Sequence, residues 1–234
     1  MKQKNTQYSY LMSFLACVIL AVCATPVALA KDKLPEVSSD GLHLLKNTKV
    51  RIAYAKPGMS LDKYTEVKLL DCFVQFKKNW QRDYNMDEVG LDGRVTDRDS
   101  DQIKKRVATG FNKVFTKELT NAGHSVVDEV GPNVLLIRPA IINLEVNAPD
   151  TMRAGMGATF VASAGQMTLY MELYDSSTST LLARVIDPEG GRQGGFAMRA
   201  NRATNNEEAS RIFRHWAKLL NGHLADVKTN SSGH

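Results

Sequence analysis

The chain has 234 residues, with 30 Lys+Arg against 25 Asp+Glu, 43% apolar residues and three cysteines. That length holds one sizeable domain with its own core, and a charged share of 24% excludes both wholesale disorder and a polytopic membrane protein. The net charge of +5 points toward nucleic acid only until the N-terminus is read.

Residues 1–10 carry Lys2 and Lys4 and no acid, Leu11–Ala24 is an unbroken apolar or small run, and Ala28-Leu29-Ala30 follows. A short basic region, an apolar stretch and an Ala-x-Ala end are the parts of a secretory signal peptide. The run is shorter than the ~20 apolar residues of a bilayer span. Cleavage after Ala30 is therefore expected, with Lys31–His234 working in the periplasm. The alternatives are an uncleaved anchor and a lipid-anchored envelope protein acylated at Cys17 or Cys23. Val22 is bulky for the position before an acylated cysteine, and Cys17 has little apolar sequence ahead of it. Loss of the leader removes two lysines, so the net charge falls to +3 and Cys72 becomes the only thiol. Cys72 lies in the strand-like run Val67–Val74 and reads as a small buried hydrophobe rather than a nucleophile.

Along the mature chain, residues 31–48 are polar and read as a flexible lead-in docked by Leu42, Leu44 and Leu45. Lys49–Ala55 alternates as a short strand, and Pro57-Gly58 marks a turn. Tyr64–Phe76 is expected as one longer strand whose apolar register slips by one residue, which a bulge explains. Lys77–Arg98 reads as a long polar connection. A helix is expected from Asp99 or Ser100, with Gln102 closing a capping box, an apolar stripe at Ile103, Val107, Phe111, Phe115 and Leu119, and a stop at Gly123. Short strands follow at Ser125–Asp128 and Val134–Val146; Pro139 removes a ladder donor, so the second is expected to be an edge or to bulge there. Gln166–Tyr174 alternates Met167, Leu169, Met171 and Leu173 against Thr168, Tyr170, Glu172 and Tyr174, and Leu181–Ile186 returns as its hairpin partner. Pro188–Asn206 reads as a loop, the last helix begins at Asn205 or Asn206, and 229–234 is expected as a disordered tail. The fold class is α+β: a mixed or largely antiparallel sheet in a single domain over 31–234, with two amphipathic helices packed on one face.

Phe76-Lys-Lys-Asn-Trp80-Gln-Arg82-Asp83-Tyr84-Asn85, Val134–Val146 with Arg138-Pro139 and Asn143, Asn147-Ala-Pro149-Asp150, Ala164–Asp175 and the late Trp216-Ala217-Lys218 occur here in that order. Together they resemble the exported bacterial proteins of the family known as domain of unknown function 3313, over nearly the whole mature chain. The resemblance implies a cell-envelope location and an α+β fold, and no activity. Two departures stand out. The family's hairpin turn carries Thr-Gly where this chain has Thr178-Ser179, and many members carry a clear acylation cysteine, which leaves the anchoring open here.

The residues offer no compact catalytic motif. Five histidines are present, and only His215 and His223 share a helix, about 12 Å apart, too far to share an ion. No metal and no cofactor are expected. Gly-x-Ser-x-Gly is absent, and Gly190–Gly195 lacks the Lys and helix context of a phosphate loop. The C-terminal arginines read as a solvated side, with no nucleic-acid role. Two segments suit binding. Trp80, Arg82, Asp83 and Tyr84 combine rings, a guanidinium and a carboxylate, while Thr151–Gly165, with Arg153 and Met156, is small, apolar and charge-poor. These would engage an envelope protein or a second copy of the chain, with peripheral membrane contact as a further option. Glu172 and Asp175 form an alternative acidic site for a periplasmic hydrolase or small-ligand-binding protein. The expectation is an exported, non-catalytic binding or accessory module.

Overall fold

The computed structural model describes residues 33–88, 93–146, 166–190 and 202–231, with the side chains of the last helix described over 209–224. Pro35–His234 is one compact unit, and the architecture below is that of its described residues. Residues 1–32, which include the expected signal peptide, and Thr151–Gly165 with Arg153 and Met156 lie outside them.

The strands are β1 (His43–Leu44), β2 (Ile52–Ala55), β3 (Glu66–Leu69), β4 (Phe73–Phe76), β5 (Ser125–Val126), β6 (Val134–Leu144), β7 (Gln166–Asp175) and β8 (Leu181–Gly190). The helices are α1 (Trp80–Asp87), α2 (Asp97–Asn121) and α3 (Arg202–Ser231). The strands form one mixed sheet in the order β1-β2-β8-β7-β6-β3-β5, with β4 also on β6. β6, β7, β8 and β2 run antiparallel in sequence, whereas β3 and β4 lie parallel to β6.

The strand expected over Tyr64–Phe76 is two strands, both pairing with β6. Leu69 stands opposite Ile137 and Phe73 opposite Ala140, so four residues on one side match three on the other. That is the expected one-residue bulge, and it breaks the strand. Pro139 sits at the break. Ile137 O accepts from Leu70 N at 3.0 Å, and alternate residues of a strand aim their backbone groups the same way, so the nitrogen of Pro139 faces the interruption. Of the two expected arrangements, an edge or a bulge, the structure shows the second: β6 is an interior strand, and the missing donor is accommodated by the irregular pairing with its neighbour. A second bulge at Asn143, with φ 52°, restores the register before Phe76 meets Leu144.

Three boundaries differ from expectation. Lys77–Arg98 is not simply a connection, because Trp80–Asp87 is helical and Trp80 stacks on Phe76 at 4.1 Å between ring centroids. α2 starts earlier: Thr96 caps it, its hydroxyl accepting from Asp99 N at 3.2 Å while Asp99 accepts from Thr96 N at 2.9 Å, so Asp99 rather than Gln102 closes the box. α3 begins at Arg202, and part of the expected Pro188–Asn206 loop belongs to β8. Gly123 ends the α2 region at φ 85°, a conformation that favours glycine.

The period-two alternation of β6 and β7 turns Leu135, Ile137, Ile141, Leu169, Met171 and Leu173 to one face, where α2 and α3 cover them. The helices meet through Phe111, fully buried, which stacks on Phe115 at 4.0 Å and meets Phe213 edge-on at 5.4 Å. Cys72 is buried in the same core without a disulfide, and burial pushes its thiol up to about 12, so it is unreactive at neutral pH. The Phe111→Ala change removes the ring that joins α2 to α3 and should lower unfolding free energy by about 3–5 kcal/mol in urea denaturation.

Candidate functional site

β7 carries both acids of the expected alternative site, and the strand period sends them to different faces. Glu172 lies on the face away from α2 and α3, where its register places Arg138 of β6 on one side and Arg184 of β8 on the other. Tyr170 and Tyr174 stand two residues before and after it on the same face. Glu172 Oε1 accepts from Tyr170 at 2.8 Å and from Arg184 Nη2 at 2.9 Å; Oε2 accepts from Tyr174 at 2.7 Å and pairs with Arg138 Nη2 at 2.7 Å. Each guanidinium also lies over a tyrosine ring, Arg138 over Tyr174 and Arg184 over Tyr170. Arg184 pairs in addition with Asp40 of the N-terminal segment, whose Leu42 is buried and whose Pro35 carbonyl accepts from Tyr54 Oη at 3.0 Å.

Glu172 is 2% exposed. Burial pushes its carboxyl up, but hydrogen bonds from Tyr174, Tyr170 and Arg184, with the charge of Arg138, outweigh burial and hold it below the usual carboxylate range. Tyr170 moves the other way, to about 12, first through burial and then because it donates to Glu172.

Asp175 ends the strand and organises the turn into β8. It accepts from Ser177 N, Thr178 N and Ser177 Oγ, while Oδ2 accepts from Tyr64 at 2.8 Å and Lys63 at 2.6 Å. These partners, Lys63 and Ser177 foremost, hold its carboxyl far below the ordinary range. Ser179 takes φ 55° in this turn, a left-handed conformation uncommon for residues other than glycine. Among the described residues Glu172 and Asp175 share no hydrogen-bond partner. A general acid at neutral pH needs a raised carboxyl, and both are lowered.

The other sequence-predicted residues lie on α1. Trp80 is buried, and its Nε1 donates to Val146 O at 3.2 Å. Tyr84 lies 6.0 Å from it, and burial followed by a bond to Glu88 pushes its hydroxyl up to about 12. Arg82 and Asp83 are exposed and bond each other at 2.8 Å. The aromatic pair packs inward while the charged pair faces out.

Sequence reasoning missed a cavity on the helix side of the sheet. It has a volume of about 380 Å³ and lies between β2, β7, β8 and α3. Ala53 and Ala55 of β2 face Val185 and Ala183 of β8, so three of these four paired positions carry only a methyl group. Leu169, Met171 and Leu173 extend the wall, and Trp216, Leu219 and Leu220 of α3 close it. Trp216 Nε1 donates to Asp187 Oδ2 at 2.9 Å, and Asp187 Oδ1 accepts from Arg51 N at 2.8 Å, so α3 is tied to β8 and to the approach to β2. Small residues at inward strand positions were the available signal. Among the described residues no group of three His, Cys, Asp or Glu is placed to hold a metal, and no helix is long and apolar enough to cross a membrane.

Because the folded Glu172 carboxyl lies below its unfolded value of about 4.3, its contribution is present above that pH and is lost as pH falls through the folded value. The Glu172→Gln change should cost about 1–3 kcal/mol at neutral pH. The gap between the two proteins should narrow below about pH 4 when urea midpoints are followed with pH.

No curated protein matches the chain. Among solved structures, the PelC dodecamer from Paraburkholderia phytofirmans matches with 9% identity and a TM-score of 0.34, covering 69% of this chain and 96% of that one. A putative neuraminyllactose-binding hemagglutinin homolog from Helicobacter pylori matches with 12% identity and a TM-score of 0.35, covering 76% and 95%. Likeness at this level carries no argument about function. The family model described as "Protein of unknown function (DUF3313)" matches residues 39–220, and the chain belongs to that family.

Proposed function

We infer that this protein is exported and serves in the cell envelope as a non-catalytic module that binds an apolar small molecule between its sheet and α3. The observation that carries the binding reading is the alanine-floored cavity of about 380 Å³. Ligand sites span roughly 300–1,000 Å³ and are mostly apolar with a few polar groups, and an apolar cavity of about 150 Å³ already takes benzene. Here the wall is mostly Ala, Leu, Met and Val from three strands, one helix and the segments at 45–50 and 59–62; its polar side chains are Thr48, Ser60, Asp62 and His223, with the Tyr54 hydroxyl engaged by Pro35 O and the Trp216 indole by Asp187. Three strands and one helix supply most of the wall. The oppositely directed carboxylates on β7 favour this reading over hydrolysis.

Support for export is the N-terminal pattern of Lys2, Lys4, Leu11–Ala24 and Ala28-Leu29-Ala30. Fractionation followed by N-terminal sequencing should find Lys31 as the first residue of a soluble periplasmic protein. An intact Met1 or an acylated cysteine would contradict that.

An environment-sensitive naphthylamine probe should bind the purified protein and be displaced by alkyl-chain ligands. Ala183→Leu and Ala53→Leu add bulk to the cavity floor and should weaken probe binding at least about tenfold while leaving thermal stability equal or raised by up to about 2 kcal/mol. Unaltered probe binding in both variants would remove the cavity as the site.

A further inference from the structure

The face of the sheet that α2 and α3 leave uncovered carries more than the Glu172 network. Register aligns Phe73 of β4, Ala140 of β6, Tyr170 of β7, Ile186 of β8 and Ile52 of β2 in one row across five strands. Ile142, Thr168 and Pro188 form the row beside it. Seven of these eight residues are apolar or aromatic, and all eight are partly or fully exposed. Phe73 stands out at 61% exposure and borders a hollow of about 580 Å³ that Leu70, Ala140 and Ile142 also line. A contiguous apolar surface on this scale marks an interaction site.

Two charged residues border the same hollow, one of each sign. Arg138 pairs with Glu172 through Nη2, yet its side chain is 58% exposed, and a guanidinium has five N–H donors. Asp71 is exposed, with Asn112 donating to its Oδ1 at 3.0 Å, and no cation among the described residues pairs with it. An apolar patch flanked by both signs of charge is self-complementary, which is what a twofold interface requires. Its extent is sufficient as well. From β4 to β8 the band crosses four strands, about 19 Å, and strands of ten or eleven residues run about 33 Å. That gives about 600 Å² per copy, the lower end of stable interfaces.

We propose that two copies of this chain pack sheet to sheet through this band, Phe73 of each copy seated in the hollow of the other and Arg138 of each paired with Asp71 of the other. The sheets would lie about 10 Å apart, as in a sandwich. The cavity beneath α3 is on the opposite face, so this inference is independent of the binding function above.

Sedimentation velocity of the purified protein over a concentration series is expected to show a reversible monomer–dimer equilibrium. Phe73→Glu and Asp71→Arg should each weaken the dimer at least about tenfold, with thermal unfolding confirming that both variants are folded. Arg138 is left in place because it also holds Glu172. Met86, 75% exposed on α1 and outside the band, supplies the control, and Met86→Glu should leave dimerisation unchanged. Binding of the naphthylamine probe in Phe73→Glu should match the parent, so the cavity and the interface stand or fall separately. A protein that stays monomeric at the highest attainable concentration overturns the proposal. So does an oligomer that survives both substitutions in the band or is weakened equally by Met86→Glu.

Discussion

Ala55 faces Ala183 across β2 and β8, and the space those two methyl groups leave beneath α3 is the constraint on which the rest of the structure turns. Elsewhere the helix side of the sheet is closed by large residues: Leu135, Ile137 and Ile141 are fully buried beneath a layer in which Phe111, Phe115 and Phe213 interlock. Close packing of that kind leaves little freedom. Toward β2 the strands carry alanine instead, and α3 does not collapse onto them. Its Trp216 is held by Asp187 of β8, and its Phe213 by Phe111 of α2. The helix spans the gap because it is anchored on both sides of it.

The opposite face of the sheet is organised by charge. Glu172 satisfies both oxygens through two tyrosines and two arginines drawn from three adjacent strands, and Arg184 extends the network to Asp40. A buried carboxylate tolerates its position only when paired and hydrogen-bonded in this way. The same bonds that secure β6, β7 and β8 to one another hold the Glu172 carboxyl below the ordinary carboxylate range. Asp175, three residues later and on alternate parity, performs the corresponding task for the β7–β8 turn. The two acids that look like a pair in the sequence are separated by the simplest property of a strand.

Local patterns made much of this legible. The helical stripe from Ile103 to Leu119, the alternation from Met167 to Leu173 and the bulge between Leu69 and Phe73 could all be read from spacing. Pro139 marks an edge or a bulge in the sequence, and only the pairing decides for the bulge, because the gap belongs to a neighbouring strand over sixty residues away in sequence. α1 carries no helical stripe that the sequence reveals, because Trp80–Asp87 has only two large aromatics among polar residues, and its packing comes from Trp80 on Phe76 and from Asn85 on the Val95 backbone. The arginines around Glu172 and the alanines beneath α3 are each unremarkable in isolation. Only register brings Arg138, Glu172 and Arg184 into one row and Ala55 opposite Ala183.

Methyl-resolved NMR of the protein during titration with a dodecyl amphiphile tests the central claim most directly. The account predicts saturable shift changes and intermolecular contacts at Ala53, Ala183, Leu169, Met171 and Leu220, with Leu135 and Ile141 unaffected. Shift changes confined to methyls outside the cavity, such as Leu70 and Ile142 beside the exposed Phe73, or none at any ligand concentration, would contradict it.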